Sequence, residues 1–184
     1  MAEIKGMAVR DTLRSIVARL GREGLDVLLE AAGEDARALF TEQVSVSAWY
    51  PLDAYASLLE AEVRAEGGDP GGLMARAEKV IEKQLSGVYR VFVRLGSPEF
   101  LVKRISAAHE TYFRGVGIEL LACEKGRAAI RYTGFTQRHR VMEYVIVSFY
   151  RKALELAGAR DARAQVTKSV SLGGGVSEVE MTWR

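Results

Sequence analysis

The chain has 184 residues, of which 48% are hydrophobic and 27% charged, and net charge is +2 from 26 basic and 24 acidic side chains. That composition predicts a single globular domain over residues 1–184 with a sizeable core, excludes disorder, and gives no electrostatic bias toward nucleic acid or membrane. The lone Cys123 excludes an intramolecular disulfide or a cysteine-clustered zinc site, and two histidines leave little for a metal centre.

The N-terminus, Met1-Ala2-Glu3-Ile4-Lys5-Gly6, is charged and has no signal-peptide core. The most apolar run, Val141 to Tyr150, contains Glu143 and falls short of the roughly 20 residues a bilayer requires. The expected compartment is cytoplasmic, without membrane contact.

In chain order, Val9, Leu13, Ile16, Val17 and Leu20 recur at helical spacing, with Gly21 as a stop. A second helical segment runs from Leu25 to Phe40, broken near Gly33. Val44-Ser-Val46-Ser reads as a short strand or an extended link, and Pro51 sets a new element starting near Leu52. Tyr55, Leu58, Leu59 and Val63 form its apolar stripe, and the glycine-rich loop from Gly67 to Gly72 follows. Leu73 to Leu95 continues as helix, with Gly87 a plausible break. Ser97-Pro98-Glu99 is a strong helix start, and that helix buries Leu101, Ile105, Ala108 and Tyr112 before Gly115.

Beyond Gly117 the period changes to two. Ile118, Leu120 and Ala122, then Ala128, Ile130 and Tyr132, flank the turn Glu124-Lys125-Gly126 as a hairpin. Thr136 to Ala157 is read as helix by its length, although its β-branched content keeps strand as an alternative. Val166 and Val170, the Gly173-Gly174-Gly175 turn, and Val179, Met181 and Trp183 give a second hairpin. The expected fold is therefore α+β: N-terminal helices followed by ββ-α-ββ, with an antiparallel sheet of about four strands packed on helices.

No catalytic residue and no metal site can be assigned. His109, at the shoulder of the stripe between Val102 and Phe113, could be an axial haem ligand or a general base. A lone histidine there is more often an edge-of-core group bonded to a carbonyl or to solvent. Arg138-His139-Arg140 could receive an anion, or be a solvated face at a helix start. Cys123 has no base placed to activate it, and Glu178 and Glu180 are expected to face water. Gly115-Val-Gly117 lacks the third glycine of a dinucleotide fingerprint, and Gly173-Gly174-Gly175 lacks the lysine of a P-loop. The aromatic residues are spread through the chain and read as core or pocket lining rather than a base-stacking platform.

Several marks occur together in order: Trp49-Tyr50-Pro51-Leu52, Leu85-Ser-Gly87-Val-Tyr89-Arg90, Ser97-Pro98-Glu99-Phe100-Leu101, Ala153-Leu154-Glu155-Leu156-Ala157-Gly158-Ala159, and the terminal Met181-Thr182-Trp183. With these the chain resembles a family of unknown function and similar length that occurs as many paralogues in myxobacteria. That family is distantly similar to a superfamily of haem nitric-oxide-binding (H-NOX) domains, 4-vinyl-reductase-type domains and subunits of vesicle-tethering particles. The resemblance implies a hydrophobic cavity between helices and sheet, used for haem, small aromatic molecules or acyl chains. H-NOX domains hold the haem propionates with a tyrosine-x-serine-x-arginine motif. The nearest stretch here, Tyr132-Thr133-Gly134-Phe135-Thr136, lacks its serine and its arginine, so the resemblance carries over no cofactor.

The resulting expectation is a non-catalytic domain that binds a small lipophilic or haem-like ligand, or regulates. Its pocket would be entered near Trp49, Tyr112 and Phe149, with His109 on the wall and Arg138 or Arg140 at the mouth. The alternatives are a haem-based gas sensor through His109, and a protein-interaction scaffold without ligand, with an enzyme ranked behind them. An exposed strand edge would permit a homodimer, and a signalling partner fits the regulatory reading.

Overall fold

The computed structural model describes residues 1–86, 96–173 and 175–184. It is an α+β structure with six α-helices among the described residues. A short strand β1 (Glu3–Lys5) leads into α1 (Gly6–Ala32), and α2 (Glu34–Phe40) follows. Strand β2 (Trp49–Pro51) runs directly into α3 (Leu52–Ala65), and α4 spans Gly71–Ser86. Helix α5 (Pro98–Ala108) ends in a 3-10 turn, His109–Thr111, before β3 (Phe113–Arg114). Strands β4 (Gly117–Glu124) and β5 (Arg127–Thr133) form a hairpin, followed by α6 (Arg140–Leu156). Strands β6 (Arg163–Lys168) and β7 (Val176–Thr182) complete the chain.

The larger sheet is antiparallel in the order β4-β5-β7-β6. Period-two patterning accounts for its inner face: Ala128, Ile130 and Tyr132 of β5 lie beside Ser177, Val179 and Met181 of β7, all buried. Helices α5 and α6 cover that face. The outer face is polar, where Arg131 bridges Glu119 and Glu178 and Arg127 pairs with Glu180.

A second antiparallel sheet, β2-β1-β3, has no counterpart in the sequence reading. Its strands hold two or three residues each, too few to show alternation. It corrects the end of the Ser97 helix. Phe113 pairs with Ile4, so the chain must leave the helix before it, and Tyr112 lies beyond α5. His109 likewise sits in the 3-10 turn and not on the helix. Ser45–Ala48 remains a link, and the strand falls just after it, on Trp49–Pro51.

Other boundaries follow the local signals. Gly21 takes φ 73° and ψ −178° inside α1, a backbone that breaks the helix where the stop was expected. The Ser97 hydroxyl accepts from the Phe100 N–H at 3.3 Å, with Pro98 in the first turn. A bulge between Leu120 and Ala122 shifts the alternation of β4, so Cys123 turns inward and Ala122 outward. Val170 belongs to a 3-10 turn and not to the strand. The helix expected to run on to Leu95 is described only to Ser86; its continuation, with Gly87, Tyr89 and Arg90, and Gly174 of the last turn, lie outside the described residues.

Candidate functional site

Helices α1, α3, α4, α5 and α6 converge with β1, β3 and β5 around a cavity of about 520 Å³, a volume that suits a small organic ligand. Its wall is mostly apolar, with Ile16, Leu59, Ile105 and Met142 representative of four of the helices. The expected stripes reach it only in part: Ile16, Tyr55, Leu59, Leu101 and Ile105 line it, whereas α1 otherwise turns Ala8, Thr12 and Ser15 toward it and leaves Val17 and Leu20 exposed.

His109 lines this cavity and is buried. Its ring hydrogen-bonds the Val116 backbone carbonyl, and Nε2 is buried without a hydrogen-bond partner. The imidazole stacks on Phe113 (4.8 Å between centroids, 16° between planes) and meets Tyr132 edge-on at 5.4 Å. Burial pushes its pKa down to about 4, opposed only by the Val116 bond. The group is therefore neutral at pH 7, with the Nε2 lone pair unused.

The Tyr132 hydroxyl donates to the Tyr150 hydroxyl at 3.1 Å. Burial raises the pKa of both phenols, Tyr132 well above its ordinary value and Tyr150 to about 12. On the opposite side Tyr55 and Thr12 share a hydroxyl hydrogen bond at 2.8 Å. Burial likewise holds Tyr55 at about 12, so these phenols stay protonated and serve as fixtures rather than acids.

Three charged side chains of the wall, Glu62, Arg76 and Arg104, were not expected there from the sequence. Glu62 of α3 and Arg76 of α4 both line the cavity, and Arg19 of α1 joins them. Glu62 pairs with Arg19 and with Arg76 Nε (3.2 Å), while Glu66 accepts from Arg76 Nη1 at 2.6 Å. Burial raises the Glu62 pKa, against the lowering pull of Arg76 and Arg19. A signal existed: Glu62 falls seven residues after Tyr55, and Arg76 three after Leu73, each on an apolar face.

Of the expected site residues, His109, Tyr112 and Phe149 come together on the cavity wall. Trp49, Arg138 and Arg140 are not among the residues that line it. Trp49 sits on β2 between two cations, Lys5 Nζ at 4.4 Å and Arg114 at 4.2 Å from its ring. Arg138 is 80% exposed and faces Asp53 at 3.7 Å. Arg140 is exposed at the start of α6. The basic knot belongs to a helix-start corner, whose buried member is His139.

No family model and no curated protein matches the sequence. Solved structures do match in shape. The A71G mutant of the Fe(II) unliganded H-NOX protein from K. algicida superposes with a TM-score of 0.73 at 10% identity, over 98% of this chain and 97% of that one. The S. oneidensis H-NOX protein in its Fe(II)NO ligation state gives 0.72 at 13% identity, over 98% and 99%. An oxygen binding H-NOX domain related to soluble guanylate cyclases gives 0.64 at 12% identity, over 98% and 95%. The class is thus defined by shape: the chain has the H-NOX fold.

Two observations bear on whether its residues suit a haem. The neutral, unpartnered imidazole of His109 is the donor type an axial ligand requires. The stretch Tyr132–Thr136 does not suit propionates in the H-NOX manner. Gly134 has φ +87°, and a Cβ there would meet the Gly115 carbonyl oxygen at 2.3 Å, so the backbone refuses the motif's serine. The Tyr132 hydroxyl is already given to Tyr150. The ligating half fits and the anchoring half does not.

Proposed function

We propose that this chain is a non-catalytic binding domain that takes a small lipophilic ligand into the cavity beside His109. The observation that supports it is a mostly apolar cavity of about 520 Å³ whose wall includes a neutral, unpartnered imidazole. Apolar burial supplies the affinity, and His109 Nε2 orients the ligand by accepting one hydrogen bond. Tyr112, just before β3, and Phe149 of α6 pack on the ligand body. The whole of residues 1–184 acts as one domain, in keeping with a main core cluster that draws on both sheets. We place it in the cytoplasm as a regulatory module whose ligand biases a signalling partner. The outer edges of β4 and β6 are the routes to a homodimer.

Native against denaturing mass spectrometry of the purified protein, with an environment-sensitive apolar dye, tests this reading. A retained small molecule, or dye fluorescence lost on its addition, is the expected result. A uniformly empty protein that ignores the dye sinks it.

The H-NOX fold and the unused Nε2 favour a second reading, a haem-based sensor with His109 on the iron. Bound haem would supply an iron site for a diatomic gas. His109 would hold it, and the Val116 carbonyl would fix the tautomer. Reconstitution with haemin decides between the two: no Soret shift, or an unchanged shift in His109→Ala, removes the haem reading.

A further inference from the structure

The charges beside the cavity balance among themselves. Arg19 and Arg76 face Glu62 and Glu66, two cations against two carboxylates, and Arg104 is engaged as well. An ionic ligand would give up its hydration here and displace an existing pairing to gain a partner. The hydroxyls of Tyr132 and Tyr55 are also spent, the first on Tyr150 and the second on Thr12. His109 differs. It is more than nine-tenths buried on the cavity wall, and its bond to the Val116 carbonyl leaves Nε2 with a bare lone pair. Among the described residues the other buried side-chain atoms without a partner are guanidinium nitrogens of Arg10 and Arg76, which only donate. Nε2 is thus the one unpartnered buried side-chain acceptor among them, and a lone pair buried in this way is costly to leave unmet. The rest of the wall is mainly aliphatic, with Ile16, Leu59, Leu73, Ile105, Met142 and Ile146.

We propose that the cavity ligand is an uncharged aliphatic alcohol whose hydroxyl donates to His109 Nε2 while its hydrocarbon lies against Ile16, Leu59, Ile105 and Met142. The inference rests on the cavity-binding reading above and names the ligand class for it. A hydroxyl brings one proton and no charge, which is what a single bare lone pair in apolar surroundings calls for. A carboxylate would set its own lone pairs against that of Nε2, and the ring proton that could meet it is held by the Val116 carbonyl. An ether or a plain hydrocarbon fills the same space but has no proton to give.

The test is calorimetric titration of the full chain with decan-1-ol, with its isomer 1-methoxynonane, and with decanoate. The alcohol and the ether bury nearly the same hydrocarbon and differ in the one donated proton. His109→Phe should weaken the alcohol about tenfold, the worth of a buried hydrogen bond, and leave the ether within about twofold. Decanoate should bind more weakly than the alcohol to the unsubstituted chain. A second measurement needs no variant: in nitrogen-15 NMR of the unsubstituted chain, the His109 Nε2 resonance should move on titration with the alcohol and stay in place with the ether. His139, whose two ring nitrogens are both engaged, serves as the internal reference. Equal losses for alcohol and ether in His109→Phe, an Nε2 resonance that ignores the alcohol, or tighter binding of decanoate overturns the hydroxyl anchor and leaves the cavity reading intact. Failure of all three probes to bind overturns both.

Discussion

His139 Nε2 lies 2.5 Å from Asp53 Oδ1, while its Nδ1 accepts the Thr136 backbone N–H at 3.1 Å. The Thr136 bond fixes the proton on Nε2, so the imidazole donates to the carboxylate. Asp53 stands in the first turn of α3, and the bond ties that helix to the corner before α6. Both ring nitrogens are occupied, which makes the contact structural and keeps His139 out of any ligand.

Asp53→Ala should therefore destabilise the fold by about 1–3 kcal/mol, because it leaves a buried imidazole N–H without its acceptor. Urea denaturation measures this. Ligand affinity in the folded variant should not change, and a specific loss of binding would move the site to this corner.

Glu143 is buried in α6 and accepts three hydrogen bonds: from Ser169 Oγ at 2.8 Å, the Val170 N–H at 3.0 Å and Ser177 Oγ at 2.6 Å. It pins the helix to the β6–β7 connection. Glu143→Ala strands these donors and should cost about 3 kcal/mol or more, while Glu143→Gln keeps one acceptor and costs less. Thermal unfolding of the two variants should rank them in that order; equal Tm values would contradict the account.

Stability should fall in mild acid through His109. Its folded pKa of about 4 lies below the ordinary 6.5, so between those values the unfolded chain binds a proton that the native chain refuses. The contribution is fully present above pH 6.5 and is lost as pH drops toward 4, amounting to about 3 kcal/mol across the window. His109→Phe, which keeps an aromatic face for Phe113, should flatten that slope. A slope unchanged by the substitution would assign the acid loss to other groups.

Gly134→Ser should destabilise the protein even though it restores part of an H-NOX motif. The left-handed backbone alone costs about 1–2 kcal/mol for a residue with a Cβ, and the contact with the Gly115 carbonyl adds to it. Circular dichroism melts would show a lower Tm. A Tm equal to the parent would mean that the turn relaxes to admit the side chain.

Where a signal was local, the sequence determined the result: the Ser97-Pro98 helix start, the Gly21 break, the two hairpins and the inward faces of β5 and β7 follow from capping chemistry and periodicity within a few residues. The β2-β1-β3 sheet was decided by tertiary contact, because strands this short gain their hydrogen bonds only from partners some 45 and 110 residues away. The same holds for the cavity. Glu62 and Arg76 each look like a charge misplaced on an apolar stripe until α3 and α4 pack together, and only then does one wall acquire a buried ion pair with a donor left over. Spacing along a chain reports which face a residue occupies; which faces meet, and what remains unpaired between them, is fixed by packing in three dimensions.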